Sequence, residues 1–148
     1  MKAIVQRVKS AHVAVENTII SNIGNGLMVL LGIQEGDTRK EADFLVEKII
    51  HLRIFEDDQG KMNRSLKEVK SELLVISQFT LLGDCRKGRR PSFTKAAPPD
   101  RAKFLYEYFI GRAIESGVVT KSGQFQANMD VSLTNQGPVT LALDTREA

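Results

Sequence analysis

Cysteine, histidine and tryptophan are scarce in this chain of 148 residues: one Cys, two His and no Trp. A single cysteine, Cys85, excludes an internal disulfide. Two histidines, His12 and His51, with no CxxC or HxxxH spacing, leave too few ligands for a zinc centre, so neither metal nor other cofactor is expected. Long apolar runs are also missing. None approaches the ~18 residues of a membrane span. The N-terminal stretch alternates from its second residue, unlike the unbroken apolar block of a signal peptide. A cytoplasmic protein with no membrane partner is expected. The patterns GxxxxGK[ST], GxGxxG and GxSxG do not occur, which argues against P-loop NTPases, dinucleotide enzymes and serine triads.

What is present is ordinary globular composition, 42% hydrophobic and 26% charged, at a length that suggests one domain over residues 1–148 with a core of its own. The charge is unevenly placed. Residues 84–103 hold seven cations (Arg86, Lys87, Arg89, Arg90, Lys95, Arg101, Lys103) and two anions, a local +5 in a chain whose total is +3. Local basic clusters attract phosphate backbones; a solvated loop and helix face accounts for the same charges equally well.

Alternation predicts strands at 2–8 and 12–16, with a short one at 20–23. The apolar run 27–33 suits a buried strand. Thr38 with Glu41 makes a capping box, and Ala42, Leu45, Val46, Ile49 and Ile50 form the stripe of an amphipathic helix. A hairpin is expected across 53–63. The most strand-like stretch is 73–82, followed by a basic loop over 83–97. Pro98-Pro99-Asp100 opens a second helix with Ala102, Leu105, Phe109 and Ala113 on one face and Gly117 beyond its end. Strands at 118–121, 126–134 and 139–143 close the chain. The expected fold is α+β, a single domain with two helices and a curled, mostly antiparallel, barrel-like sheet.

Conventional nucleophiles are poorly supported. Cys85 sits among cations that could lower its pKa, but no base accompanies it in sequence. The acidic triplet Glu56, Asp57, Asp58 reads as turn chemistry. Two stretches stand out instead. SQFTL, residues 77–81, puts Ser77, Gln78 and Thr80 at the end of a buried strand. Alternation would place Ser77 and Phe79 on one face, Gln78 and Thr80 on the other. GPVT, residues 137–140, interrupts strand-like sequence with a glycine that permits close backbone approach and a proline that cannot donate to a ladder. A strand end with satisfied hydroxyls and a plain turn remain the alternatives for these two.

Together with QRV at 6–8, LRIF at 52–55, GKMN at 60–63, RPSF at 90–93, LYEYF at 105–109 and NQGPVT at 135–140, these motifs make the chain resemble, nearly end to end, the D-aminoacyl-tRNA deacylases of the D-Tyr-tRNA(Tyr) deacylase type. The resemblance implies a homodimeric, barrel-like enzyme that hydrolyses the ester between a D-amino acid, or glycine, and tRNA, needs no cofactor, and has no DNA partner. It implies a cis Gly137–Pro138 peptide which, with Val139 and Thr140, gates substrate chirality from the partner subunit. It assigns Ser77, Gln78, Phe79 and Thr80 to the catalytic pocket, Arg7 to bracing the Gly-Pro segment, and Phe125 and Met129 to the terminal adenosine. Arg86, Lys87, Arg89 and Arg90 would meet tRNA phosphates. Gln136, Gln126 and Asn128 depart from the residues common in this family and bear on the rim. The rival readings are a non-catalytic RNA-binding barrel and a thiol hydrolase using Cys85.

Overall fold

The alternating residues at the N-terminus form one strand rather than two. In the computed structural model, which describes residues 1–147, the elements in chain order are β1 (Lys2–Val15), β2 (Thr18–Ile23), β3 (Gly26–Gly32), α1 (Arg39–His51), β4 (Phe55–Glu56), β5 (Met62–Arg64), α2 (Leu66–Val69), β6 (Glu72–Ser77), a 3₁₀ turn (Phe79–Leu82), α3 (Pro99–Glu115), β7 (Thr120–Ser122) and β8 (Asp130–Asp144). β1 pairs with β3 from Lys2 to Val8 and with β2 from Ala11 to Val15, while β8 runs beside nearly all of it.

The main sheet is mixed, not mostly antiparallel. Strand order is β2-β1-β3-β6-β7, with β8 on β1, and both the β3–β6 and β6–β7 pairs are parallel. The physical reason is the placement of the helices. α1 lies between β3 and β6 in the chain, and α3 between β6 and β7, and a crossover of that kind brings the next strand back in the same direction. The sheet curls until its ends meet: Ser21 Oγ in β2 donates to the Ser122 carbonyl in β7 at 2.8 Å, and Lys121 Nζ donates to the Asn22 carbonyl at 2.7 Å. Among the described residues there are three helices instead of two. The additional one, α2, is a single turn started by Ser65, whose hydroxyl accepts from the Glu68 N–H at 3.2 Å.

Two further expectations change. The strand at 73–82 stops at Ser77, and Phe79–Leu82 coils into the 3₁₀ turn, so face alternation does not continue through Gln78 and Thr80. The stretches 126–134 and 139–143 are not separate strands, because β8 continues through Gly137 and Pro138.

α1 begins as its sequence signals: the Thr38 side chain accepts from the Lys40 N–H, and Glu41 accepts from the Thr38 N–H at 2.7 Å. Alternation along β3 and β6 divides the interior. Leu27, Val29, Leu31, Leu73 and Val75 pack with the apolar stripes of α1 and α3, while Met28, Leu74 and Ile76 join Val8, Val13 and Ile23 in a second cluster. Both strands are therefore covered on two faces, which explains their continuous apolar sequence. Phe109 of α3 is fully buried in the larger cluster. Phe109→Ala is expected to cost about 3–5 kcal/mol and to lower Tm by roughly 6–20 °C, measured by thermal unfolding; a change below about 1 kcal/mol would contradict this packing.

Candidate active site

β3 and β6 run parallel, and their carboxyl ends open on one cavity of about 950 Å³. Ile33 follows β3 into it; Ile76, Ser77, Gln78 and Phe79 enter from β6 and the turn after it. The basic loop contributes Phe93, Thr94, Ala96 and Ala97, α3 contributes Pro99 and Ala102, and the segment before β8 contributes Phe125 to Met129. The loop is held in place by backbone bonds: the Ala97 N–H donates to Ile33 at 3.0 Å, the Glu35 N–H donates to Lys95 at 2.9 Å, and Asp84 and Ser92 exchange bonds of 2.7 and 3.0 Å.

Of the residues expected in the pocket, Ser77, Gln78, Phe79, Phe125 and Met129 line it. Thr80 does not; its exposed hydroxyl accepts from the Gln78 side-chain amide. An amide is no general base, so nothing in this contact activates Thr80 as a nucleophile. The N–H groups of Phe79 and Thr80 head the 3₁₀ turn, whose first internal bond is made by Leu81 N–H to the Gln78 carbonyl at 3.2 Å. Cys85 is exposed and outside the cavity lining. Among the described residues, no group of three His, Cys, Asp or Glu side chains gathers as a metal site, and no helix is long and apolar enough to cross a membrane.

Gly137 and Pro138 are exposed and lie outside the cavity lining. Their peptide bond is cis. The ladder between β1 and β8 pairs Gln6 with Thr140 and Val8 with Asn135, so Arg7 alone faces the four residues from Gln136 to Val139. The segment is a bulge within a strand. Arg7 is buried beneath it, donating to the Ile54 carbonyl at 2.8 Å and the Gln136 carbonyl at 3.3 Å. Asn135 closes the bulge's base: its Nδ2 donates to Thr140 Oγ1 at 2.7 Å, and its Oδ1 accepts from the Val139 N–H at 3.3 Å. Gly137 has φ +120°, and a Cβ there would lie 3.0 Å from a Val139 methyl and 3.1 Å from an Arg7 nitrogen.

Three residues of this arrangement have no role assigned from the sequence: Asn135, Phe93 and Glu35. Asn135 was legible as the start of NQGPVT, but its side-chain role was not. Phe93 lay in RPSF without an assigned role; its ring meets Phe79 edge-on at 5.1 Å between centroids. Glu35 lines the cavity and carried no signal. The four basic-loop cations also differ from one another. Arg86 is bound to Asp84 through contacts that include 2.9 and 3.1 Å, and its guanidinium holds the Asp84 carboxyl well below the usual carboxylate range. Lys87, Arg89 and Arg90 are exposed and make no ion pair among the described residues.

Comparison with known proteins agrees with this arrangement of motifs. A family model described as D-Tyr-tRNA(Tyr) deacylase matches residues 4–144. The chain belongs to the D-Tyr-tRNA(Tyr) deacylase family. It is an enzyme of that class. Similar curated proteins include a D-aminoacyl-tRNA deacylase of Syntrophus aciditrophicus (strain SB), 60% identical over 99% of this chain and 98% of the relative. Another, from Kosmotoga olearia, is 58% identical over 99% of each. Among solved structures, one titled c-Myc DNA Unwinding Element Binding Protein is 42% identical with a TM-score of 0.93, over 98% of this chain and 99% of that one. A probable eukaryotic D-amino acid tRNA deacylase shares the fold at 20% identity and a TM-score of 0.81, over 96% and 97% of the two chains.

Phe125 is positioned by Tyr106, whose ring stacks on it at 5.9 Å. The Tyr106 hydroxyl donates to the Val75 carbonyl at 2.8 Å, and burial pushes its pKa up to about 12. An unfolded tyrosine ionises near ~10, so the unfolded chain loses this proton first. The stabilising contribution is whole below pH ~10 and is lost as pH rises towards about 12. Urea unfolding is expected to show that decline, and Tyr106→Phe to reduce it; an unchanged decline would refute the assignment.

Proposed function

We propose that this protein, a single domain acting as a cytoplasmic homodimer, hydrolyses the ester of D-aminoacyl-tRNA and of glycyl-tRNA and spares L-aminoacyl-tRNA. The observation that carries this reading is the pairing of two features on one chain. One is a cavity at the SQF strand end with no activated nucleophile; the other is a Gly-Pro bulge presented outward, away from that cavity. An aminoacyl ester is already reactive. Positioning, with N–H donors aimed at the developing oxyanion, supplies rate without a triad, each donor contributing about 3 kcal/mol. Phe79 and Thr80 N–H are the donors in this reading. Water attacks the ester carbonyl, the oxyanion forms against them, and the ribose oxygen leaves with a proton while a neighbouring ribose hydroxyl helps orient the water. Thr80 positions groups and carries no acyl intermediate.

The gate lies across subunits in this proposal. β8 pairs only with β1 among the described strands and has 15 residues. An edge that long is a ready template for a second copy. Gly137 and Pro138 of one protomer then enter the other's cavity, where main-chain carbonyls hold the substrate ammonium and the backbone occupies the space an L side chain needs. Rejection by backbone overlap is indifferent to side-chain identity. Ser77, Gln78 and Phe79 line the pocket; Val139 and Thr140 complete the gate; Phe125 and Met129 border the terminal adenosine. Lys87, Arg89, Arg90 and the remaining Arg86 donors face phosphates.

Incubation with D-Tyr-tRNA and L-Tyr-tRNA tests the reading directly. Release of D-tyrosine with L-Tyr-tRNA intact is expected; tRNA binding without release would support an RNA-binding barrel, and equal release of both enantiomers would remove the gate. Thr80→Ala is expected to retain turnover within about tenfold, a loss of no more than ~1.4 kcal/mol in barrier. Cross-subunit action makes a further prediction. Gly137→Ala and Gln78→Ala proteins, each weakly active alone, should recover activity when refolded together, because mixed dimers restore one intact site. No recovery would place gate and pocket in the same protomer.

A further inference from the structure

Beyond the cavity rim, the starts of α1 and α3 carry a cationic patch. Glu35 and the first turn of α3 (Pro99, Ala102) line the cavity. Four residues after Glu35, Arg39 opens α1; within the first turn and a half of α3 stand Arg101, Lys103 and Phe104. The Arg39 guanidinium lies over two rings at once, 5.2 Å from the centroid of Phe104 and 5.3 Å from that of Tyr108. Arg101 approaches the same Phe104 ring at 5.5 Å and donates to the Asp37 carbonyl at 3.4 Å. Phe104 is 42% exposed, so both cations sit over a ring open to solvent.

Most of the nearby carboxylates are occupied, whereas that of Glu35, exposed at the rim, has no partner among the described residues. Asp43 accepts from Tyr108 at 2.8 Å and Arg112 at 2.9 Å. Glu41 is engaged by Thr38, and Asp37 is buried against the Met1 ammonium at 2.8 Å. Asp100 is the one exposed acid without a partner in the two first turns, against Arg39, Lys40, Arg101 and Lys103. Arg39 itself makes no hydrogen bond or ion pair among the described residues. Its charge is therefore held in place by aromatic faces while its donors stay free. A guanidinium ordered by stacking loses little further entropy on binding, and its planar fork matches two phosphate oxygens.

The geometry points to Arg39, seated on Phe104 and Tyr108 with Arg101 beside it, as a backbone-phosphate clamp for the RNA strand leaving the cavity. This rests on the tRNA-ester reading above. The patch would be a second contact region, separate from the cations at 86–90 and on the α1–α3 side of the rim. Arg39 would act in binding, at a distance from the reacting ester.

The test is the salt dependence of kcat/KM on D-Tyr-tRNA for wild type, Arg39→Ala, Arg39→Gln and Arg39→Lys. If the clamp exists, Arg39→Ala and Arg39→Gln lower kcat/KM about tenfold at low salt through KM, with kcat unchanged. The slope of log kcat/KM against log salt flattens by about 0.7–0.9. Arg39→Lys keeps most of the slope but loses part of the affinity, because the point charge remains and the fork does not. Thermal unfolding checks each fold, and Arg39→Gln, which preserves much of the stem, carries the result if the alanine variant is destabilised. An unchanged slope, or a loss confined to kcat, overturns the clamp. Wild type that releases no D-tyrosine at all overturns the deacylase reading instead; filter binding of uncharged tRNA, with the same slope comparison, then decides the clamp alone.

Discussion

The structure depends most on what the buried Arg7 requires. A guanidinium removed from water must have its donors met, and Arg7 obtains carbonyls from Ile54, just past α1, and from Gln136 in β8. Meeting the second is possible only because β8 leaves its ladder with β1, so four residues stand opposite one. Asn135 and Thr140 then bond across the base of the excursion. Gly137 suits its apex, where φ is +120° and the Arg7 fork lies against the backbone. The outward presentation of Gly137 and Pro138 follows from satisfying one buried cation.

The mixed topology matters in the same way. In a sheet of antiparallel hairpins, neighbouring strands end alternately at opposite sides. Here β3 and β6 are parallel, so Ile33 and Ser77 emerge together. The carboxyl ends of parallel strands are a general location for ligand sites. The basic loop and the start of α3 fold over that end, bonded to Ile33 and Glu35, and bring aromatic, polar and cationic groups to one opening.

Much of the helical structure was legible because its signals are local. The Thr38–Glu41 box, the stripe from Ala42 to Ile50, the prolines opening α3 and the buried face from Ala102 to Ala113 each concern residues a few positions apart. The strand ends were less legible. Leu81 and Leu82 continue the apolar run of β6 in sequence, but Gln78 and the 3₁₀ bonds end the strand at Ser77. α2 escaped notice because a four-residue helix leaves no periodicity to detect.

By itself the sequence determined the composition class, both long helices, the apolar strands and the motifs SQFTL and NQGPVT that carry the family. Only the tertiary structure decided that β3, β6 and β7 run parallel, that GPVT is a bulge rather than a turn, and that the Thr80 side chain is left out of the lining that Ser77, Gln78 and Phe79 give the cavity. The division has a physical cause. Caps, stripes and apolar runs are set by neighbours along the chain, whereas strand direction, bulge register and cavity walls are set by contacts between distant residues, such as Arg7 with Gln136 and Ile33 with Ala97.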